Sequence, residues 1–489
     1  MDYSQFWAMK QEMGVLIVFL LVFLYDTFMP KKTLKATGCF ACVAFLLFTV
    51  AGFFDFMTCR EYSAFEGMYV TNPVVVAIKN ILNLGVLIVL IQSVKWANEE
   101  EMSVRKGEFY ELLLITLFGM YLMISARHFL LFVIGLECAS LPLAAMVAFE
   151  KNRYESREAA IKYILTAVFS SALFMMGLSF VYGLCGSLYF SDICLYLSFE
   201  NSWLLVCTIA FVMAGIGFKL SLVPFHLWTA DVYQGAPTPV TSYLSVISKG
   251  AAAFAFLIIL VQVFGQFYAD IWEWMLYALI ILTITVGNLF AIRQKNMKRF
   301  LAFSSISQAG YIMLGIIAMN ATGMASLIYY ILVYVFSNLA AFGVIGAIER
   351  NTGCVSMEDY NGLYRTNPRL SFAMMLAMFS LAGIPPFAGF FSKFFIFTGA
   401  IQQGSIAIYI LVLIALINTI ISLYYYLLVV KAMFISTDEC KIQPFKSGFN
   451  ERLALWFTVA GIVFLGLVSP VYNYLLEIAD NSTLFALVP

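Results

Sequence analysis

The sequence predicts an all-α polytopic membrane protein: about fourteen transmembrane helices, two inverted five-helix repeats, and breaks in helices 7 and 12. Three observations predict it. Of 489 residues, 62% are hydrophobic and only 11% are charged, against roughly 25% charged in a soluble domain. Apolar runs recur along the whole chain at the length of about 20 residues that a bilayer demands. Two of those runs are interrupted by proline, at Pro224 and at Pro385-Pro386, each close to a lysine.

The runs lie at 13–29, 36–57, 73–94, 109–126, 129–149, 158–182, 203–223, 238–263, 271–292, 299–319, 323–348, 370–395, 405–430 and 453–475. Residues 1–489 read as one integral membrane domain with no extramembrane catalytic module. Its parts are spans 1–3 (1–108), a first repeat (109–263), a second repeat (271–430), and span 14 with the tail (453–489). The first run ends at Met29-Pro30-Lys31-Lys32 without a small-residue cleavage site, so it reads as a retained helix and not a signal peptide.

Basic residues alternate between loops. Lys31, Lys32 and Lys35 mark one face, followed on the same face by Lys95, Arg105 and Lys106, by Lys151, Arg153 and Arg157, and by Arg293, Lys295, Lys298 and Arg299. Arg350, Arg365 and Arg369, then Lys431, Lys441, Lys446 and Arg452, complete that set. Lys10, Arg60 and Arg127 mark the other face. The positive-inside rule puts the rich face in the cytoplasm. The loop after span 7 belongs to that face yet has no lysine or arginine.

The remaining cations sit inside the runs: Lys79, Lys162, Lys219, Lys249 and Lys393. All are lysine, which can release its proton when desolvated, whereas arginine effectively cannot. An ionisable residue within a membrane is a functional candidate by default. Glu137, in LFVIGLECASLPLAAM, is the one clearly central carboxylate; Asp26 and Asp55 lie near span ends. Placing Glu137 beside a lysine would offset part of its burial cost and set the proton affinity of both. Spacing does not say which lysine it meets.

Each candidate has a structural alternative. Lys219 could cap the broken seventh helix. Lys249 is mid-span with no end to reach. Lys393 follows the second break. Lys162 lies a turn from Arg157 and could snorkel, and Lys79 reads as snorkelling from the start of span 3. His226, just past Pro224, could relay a proton or be a hydrogen-bonded structural residue. Cys39-x-x-Cys42 lies in an apolar run and reads as small buried hydrophobes. With two histidines, His128 and His226, a metal cluster is not expected. Gly215-x-Gly217 lacks the strand and third glycine of a nucleotide fingerprint.

The second break, in SLAGIPPFAGFFSKFFIF, has Gly383 and Gly389 on either side, and its Pro386-Phe387 echoes Pro224-Phe225. The breaks are five spans apart, so the two helices run in opposite directions, as an inverted repeat over spans 4–8 and 9–13 requires. Carbonyls freed by proline are tolerated only inside protein or beside water.

PFHLWTADVYQGAPTPVTSYLSVISK, NMKRFLAFSSISQAGYIMLG and LAGIPPFAGFFSKFFIF resemble subunit N of respiratory complex I, the NADH dehydrogenase subunit 2 family. The resemblance runs from about span 4 to span 13; spans 1–3 and the tail are similar only in hydropathy. It implies a proton-translocating subunit in which Glu137 and Lys219 form a helix 5–helix 7 pair. Lys249 would be the central lysine, Lys393 the exit-side lysine, and Lys162 a lysine of helix 6. It implies no cofactor in this chain, with NADH, FMN, iron–sulfur clusters and quinone in partner subunits. The implied partners are other membrane subunits of complex I, including a neighbouring antiporter-like subunit and a small K-type subunit, together with the lipid bilayer and no nucleic acid; a bacterial inner membrane is expected in preference to a mitochondrial one. The rival readings are a subunit of a multisubunit sodium/proton antiporter, an independent solute symporter, and a membrane anchor.

Overall fold

The computed structural model describes the chain except residues 1–2, 30–35, 100–101, 103–104, 198–202, 268–270, 437–439, 469 and 483–489. Lys31, Lys32 and Lys35 of the basic set lie outside the described residues. Thirteen described helices are long and apolar enough to cross a membrane, and a further span is split into two shorter apolar helices. In chain order they are α1 (Lys10–Phe28), α2 (Thr37–Thr58), α3 (Pro73–Ala97), α4 (Lys106–Ser125), α5 (Phe129–Val147) and α6 (Tyr154–Cys185). The broken seventh is α7a (Trp203–Leu220) and α7b (Leu227–Gly235). Then come α8 (Thr238–Gln262), α9 (Glu273–Ile292), α10 (Met297–Ile317) and α11 (Ala321–Thr352). The broken twelfth is α12a (Pro368–Ala382) and α12b (Ala388–Ile401), followed by α13 (Ile406–Phe434) and α14 (Phe449–Leu467).

The sequence sets the ends of these helices. Asn72 caps α3 by accepting from the Val75 amide at 2.9 Å, with Pro73 at the first helical position, where its missing N–H costs nothing. Asn320 caps α11 in the same way, from the Gly323 amide at 2.6 Å. The two repeats match element by element. α6 and α11 are both 32 residues long, and both stop at a left-handed glycine, Gly186 (φ 67°) and Gly353 (φ 71°), a conformation that carries a Cβ penalty for other residues. α7a ends at left-handed Ser221 and α12a at left-handed Gly383, and a cis X–Pro bond follows each. The tightest helix pairs, α4 with α5 and α9 with α10, also occupy equivalent places.

α8 and α10 are enclosed by protein along their whole apolar windows, and α3 and α11 nearly so, while α1, α2, α6 and α13 form the outer wall. α8 is not a uniform α-helix: residues Leu244–Ser248, immediately before Lys249, form a π-helical turn, a feature common at functional sites.

Three departures from the sequence-based expectation have physical causes. A short hairpin, β1 (Tyr62–Ala64) with β2 (Tyr69–Thr71), folds in the loop after α2 and lies over the α4–α5 link, where the Arg127 amide donates to the Met68 carbonyl at 2.8 Å. α14 stops at Leu467, and Pro470 starts a separate short helix, Pro470–Asp480, because proline cannot donate within a continuing helix. Lys79 does not snorkel. It is 1% exposed and pairs at 2.6 Å with Glu12, and Tyr69 Oη, 3.2 Å from Lys79 Nζ, donates to the same carboxylate at 2.9 Å. Glu12, immediately before the expected start of span 1, is thus a buried acid that apolar runs alone do not pick out.

Removing one partner of such a pair strands a buried charge and costs about 3–5 kcal/mol. Glu12→Gln is therefore expected to lower the thermal stability of the solubilised protein sharply, and Glu12→Gln with Lys79→Met to regain much of the loss. Equal melting temperatures for wild type and Glu12→Gln would show that the pair contributes nothing.

Candidate functional site

Lys219, Lys249 and Lys393 lie within the spans, enclosed by protein, and are 6%, 2% and 4% exposed. None has a carboxylate within ion-pair distance among the described residues. Their surroundings differ. Lys393 Nζ donates to the carbonyls of Leu381 and Ala382, each at 3.0 Å. These are last-turn carbonyls of α12a that the break leaves without helical donors, so a cation on α12b closes the end of its own other half. In the seventh helix the corresponding cap comes from α7b: Trp228 Nε1 donates to the Phe218 carbonyl at 3.1 Å. Lys219 is left over, its ammonium buried with no hydrogen-bond partner among the described residues.

Lys249 Nζ donates to Ser305 Oγ at 2.5 Å and to the Ser305 carbonyl at 3.3 Å, and lies over the Tyr233 ring at 5.6 Å. Ser305 belongs to the run SSISQ on α10, whose neighbours carry the polar contacts onward. Ser304 Oγ and Tyr426 Oη are hydrogen-bonded. Gln308 Nε2 donates to Tyr426 Oη at 3.0 Å and to the Leu381 carbonyl at 3.3 Å, and Tyr330 Oη donates to Gln308 Oε1. The Leu381 carbonyl thus accepts from both Gln308 and Lys393. Two polar groups meet on α10: Lys249 with Ser305, and Ser304, Tyr426 and Gln308 reaching Lys393 through the Leu381 carbonyl. The adjacent residues Ser304 and Ser305 are the step in a polar thread that crosses from the first repeat to the second. A cavity of about 10 Å3 lined by Gln308, Tyr334, Ser380 and Lys393 adjoins its far end.

On the basic face a cavity of about 290 Å3 lies between α3, α8, α11 and α14. Its rim is charged: Glu349 pairs with Lys298 at 3.0 Å and Arg153 at 3.8 Å, and Arg350 pairs with Glu451. Thr238 and Ser242 of α8 line it. One turn deeper, Ser245 accepts from Asn338 Nδ2 at 2.9 Å, and Lys249 follows a turn later. Thr238, Ser242, Ser245 and Lys249 form a stripe along α8 of roughly 16 Å at 1.5 Å per residue.

The other candidates lie elsewhere. Lys162 is not interior: its side chain is 41% exposed and pairs with Glu158 and Asp231, both at 2.7 Å. It reaches towards the basic face, and Asp231 also holds Arg299 at 2.6 Å. Arg299 on Asp231, and Lys298 donating to the Ala236 carbonyl at 3.2 Å, supply cations from the first turn of α10 to the segment after α7a that has none of its own. Glu137 is half-buried on α5 and makes no ion pair with Lys219, but is close enough for its charge to act on Lys219 and on Tyr163. His226 is half-buried beside the outward-facing Pro224, with Nδ1 unpartnered among the described residues, and lies within electrostatic reach of Lys249. Among the described residues no group of three or more His, Cys, Asp or Glu could hold a metal.

From the sequence, Lys298 counts only among the basic loop residues, and Glu349 and Asp231 are not singled out, nor are the neutral members Ser305, Gln308, Tyr426 and Asn338. The cluster SSISQ inside an apolar run was the one available signal.

Residues 126–422 match the family model described as NADH:quinone oxidoreductase/Mrp antiporter, TM. NADH-quinone oxidoreductase subunit N of Phocaeicola vulgatus is 52% identical over 98% of this chain and 100% of its own length. The chain belongs to the NADH-quinone oxidoreductase subunit N family. Subunit N 1 of Thermodesulfovibrio yellowstonii is 38% identical over 84% of this chain and 88% of its own length. A chain of respiratory complex I from Thermus thermophilus is 31% identical and superposes with a TM-score of 0.75 over 98% of this chain and 99% of its own length. A chain of the Mrp complex from Dietzia sp. is 18% identical with a TM-score of 0.85, covering all of both chains, a likeness of fold alone.

A buried ammonium without a hydrogen-bond partner among the described residues costs stability, so Lys219→Met is expected to raise the melting temperature of this subunit N by at least ~2 °C. Lys298→Met, which strips Glu349 of its closest cation, should lower it. Both are read by thermal unfolding in detergent; a destabilised Lys219→Met would mean that Lys219 has a partner.

Proposed function

We propose that this chain is the antiporter-like, proton-translocating membrane subunit N of a NADH:quinone oxidoreductase in a bacterial inner membrane. It would perform no redox chemistry; NADH, FMN, iron–sulfur clusters and quinone would belong to partner subunits, which include a neighbouring antiporter-like subunit and a small K-type subunit. The observation that carries the reading is the pair of buried polar groups that meet on α10 at Ser304 and Ser305, one holding Lys249 and the other reaching Lys393. Lysines held by neutral oxygens can pass protons, whereas lysines held by carboxylates are fixed as ion pairs.

Protons would be taken up from the cytoplasm at the basic-face cavity. They would move along Thr238, Ser242 and Ser245 to Lys249, with water bridging the gaps between hydroxyls. They would then cross by Ser305, Tyr426 and Gln308 to Lys393 and leave on the opposite face beyond α12b. Lys219 would act as the gate. Its ammonium has no hydrogen-bond partner among the described residues, so the distance of the Glu137 carboxylate governs whether it keeps its proton. Its charge then bears on Lys249 through a medium of low dielectric. Glu137 is half-exposed on α5, where movement of a neighbouring subunit could displace it. Lys162, with Asp231 and Arg299, would gather charge at the basic face, and His226 is available as a relay.

Glu137→Gln is the direct test of the gate. In sealed vesicles driven by NADH, the assembled variant should keep NADH oxidation in the presence of uncoupler and lose most proton pumping. Full pumping would rule the gate out. Copurification of flavin and iron–sulfur partners separates this reading from a sodium/proton antiporter subunit, which would come without them.

A further inference from the structure

A second large cavity, of about 630 Å3, lies on the outer wall between the first turns of α12a and α14 and has no part in the thread. Its walls are apolar, with Phe372, Leu453 and Trp456 prominent. Trp456 is 70% exposed, two turns below the start of α14, near the depth at which tryptophan marks the headgroup boundary. Arg369, Lys446 and Arg452 stand at the mouth. Neighbouring cations are paired: Lys441 with Asp359 at 3.0 Å, Arg350 with Glu451, and Lys95 with Glu451 at 3.8 Å. The three at the mouth have no carboxylate partner among the described residues. Glu451, next in sequence to Arg452, is turned inward to Arg350 and to the Gly448 amide at 2.6 Å.

We propose that this groove binds one anionic phospholipid. Its phosphate sits among Arg369, Lys446 and Arg452, and an acyl chain lies against Phe372, Leu453 and Trp456. Three cations without a carboxylate partner among the described residues, over an apolar slot at headgroup depth, are complementary to a ligand with a net negative head and a long apolar tail. A zwitterionic lipid would set its own cation against them, and basic pockets between spans on the positive face recognise acidic headgroups. The inference does not depend on the proton-transfer reading.

The test uses the intact complex in phosphatidylcholine vesicles with a trace of phosphatidylglycerol or phosphatidylcholine carrying a photoreactive group on the acyl chain, with labelled peptides mapped by mass spectrometry. Peptides covering 368–373 and 445–459 should be labelled preferentially by the phosphatidylglycerol probe. The preference should fall by about fivefold for each charge removed in Arg369→Gln, Lys446→Gln and Arg452→Gln, at ~1 kcal/mol per basic residue. Uncoupled NADH oxidation reports that the variants assemble; if they do not, the comparison of the two probes on the wild type decides alone. Equal labelling by both probes would overturn the proposal. So would absence of labelling because a neighbouring subunit fills the groove, or competition by free glycerol 3-phosphate as strong as that by phosphatidylglycerol, which would mark a free-anion site.

Discussion

The structure depends on how a buried ammonium group is satisfied by neutral protein oxygens in place of a carboxylate. In a bilayer interior an isolated cation is costly, and two solutions appear here. Lys249 is held by the hydroxyl and carbonyl of Ser305. Lys393 is held by the carbonyls of Leu381 and Ala382. The second explains why helix 12 must break, since intact helices have no free carbonyls at mid-membrane. It also explains why the lysine lies on the far half of the same helix, within reach of the end it closes.

The paired lysines behave differently. Lys79, paired with Glu12, and Lys298, paired with Glu349, are as buried as the thread lysines, but their charge is locked by an acid and hardens the junctions of α1 with α3 and of α10 with α11. Lys219 follows neither pattern. Of Lys219, Lys249 and Lys393, it alone is left unsatisfied among the described residues, while Glu137 is near but not bonded. In the proposed mechanism it is the member whose state changes, and the fold holds its surroundings ready without fixing the outcome.

Much of this was legible in the sequence. The count and order of spans, both breaks and the inverted repeat follow from apolar length, proline and the alternation of basic loops, which are local properties. The inward lysines Lys219, Lys249 and Lys393 were legible because a charge is too costly to keep in an apolar run without a role. What was not legible depends on distant chain segments meeting. Lys79 looked like a snorkelling residue because its partner Glu12 lies two helices away, and Lys162 looked interior although Asp231 and Glu158 hold it towards the basic face. The thread itself consists of serine, glutamine and tyrosine, residues that also occur in membrane helices as ordinary packing. Only the meeting of α8, α10, α12a and α13 gives them a direction.

Communication between Lys249 and Lys393 through the neutral residues of α10 is the central claim, and Gln308 is the member whose loss breaks the link without altering any charge. The most direct measurement is the number of protons pumped per NADH oxidised in sealed vesicles carrying Gln308→Leu. A lower ratio, with NADH oxidation retained in an assembled complex, is the predicted result. An unchanged ratio would contradict it.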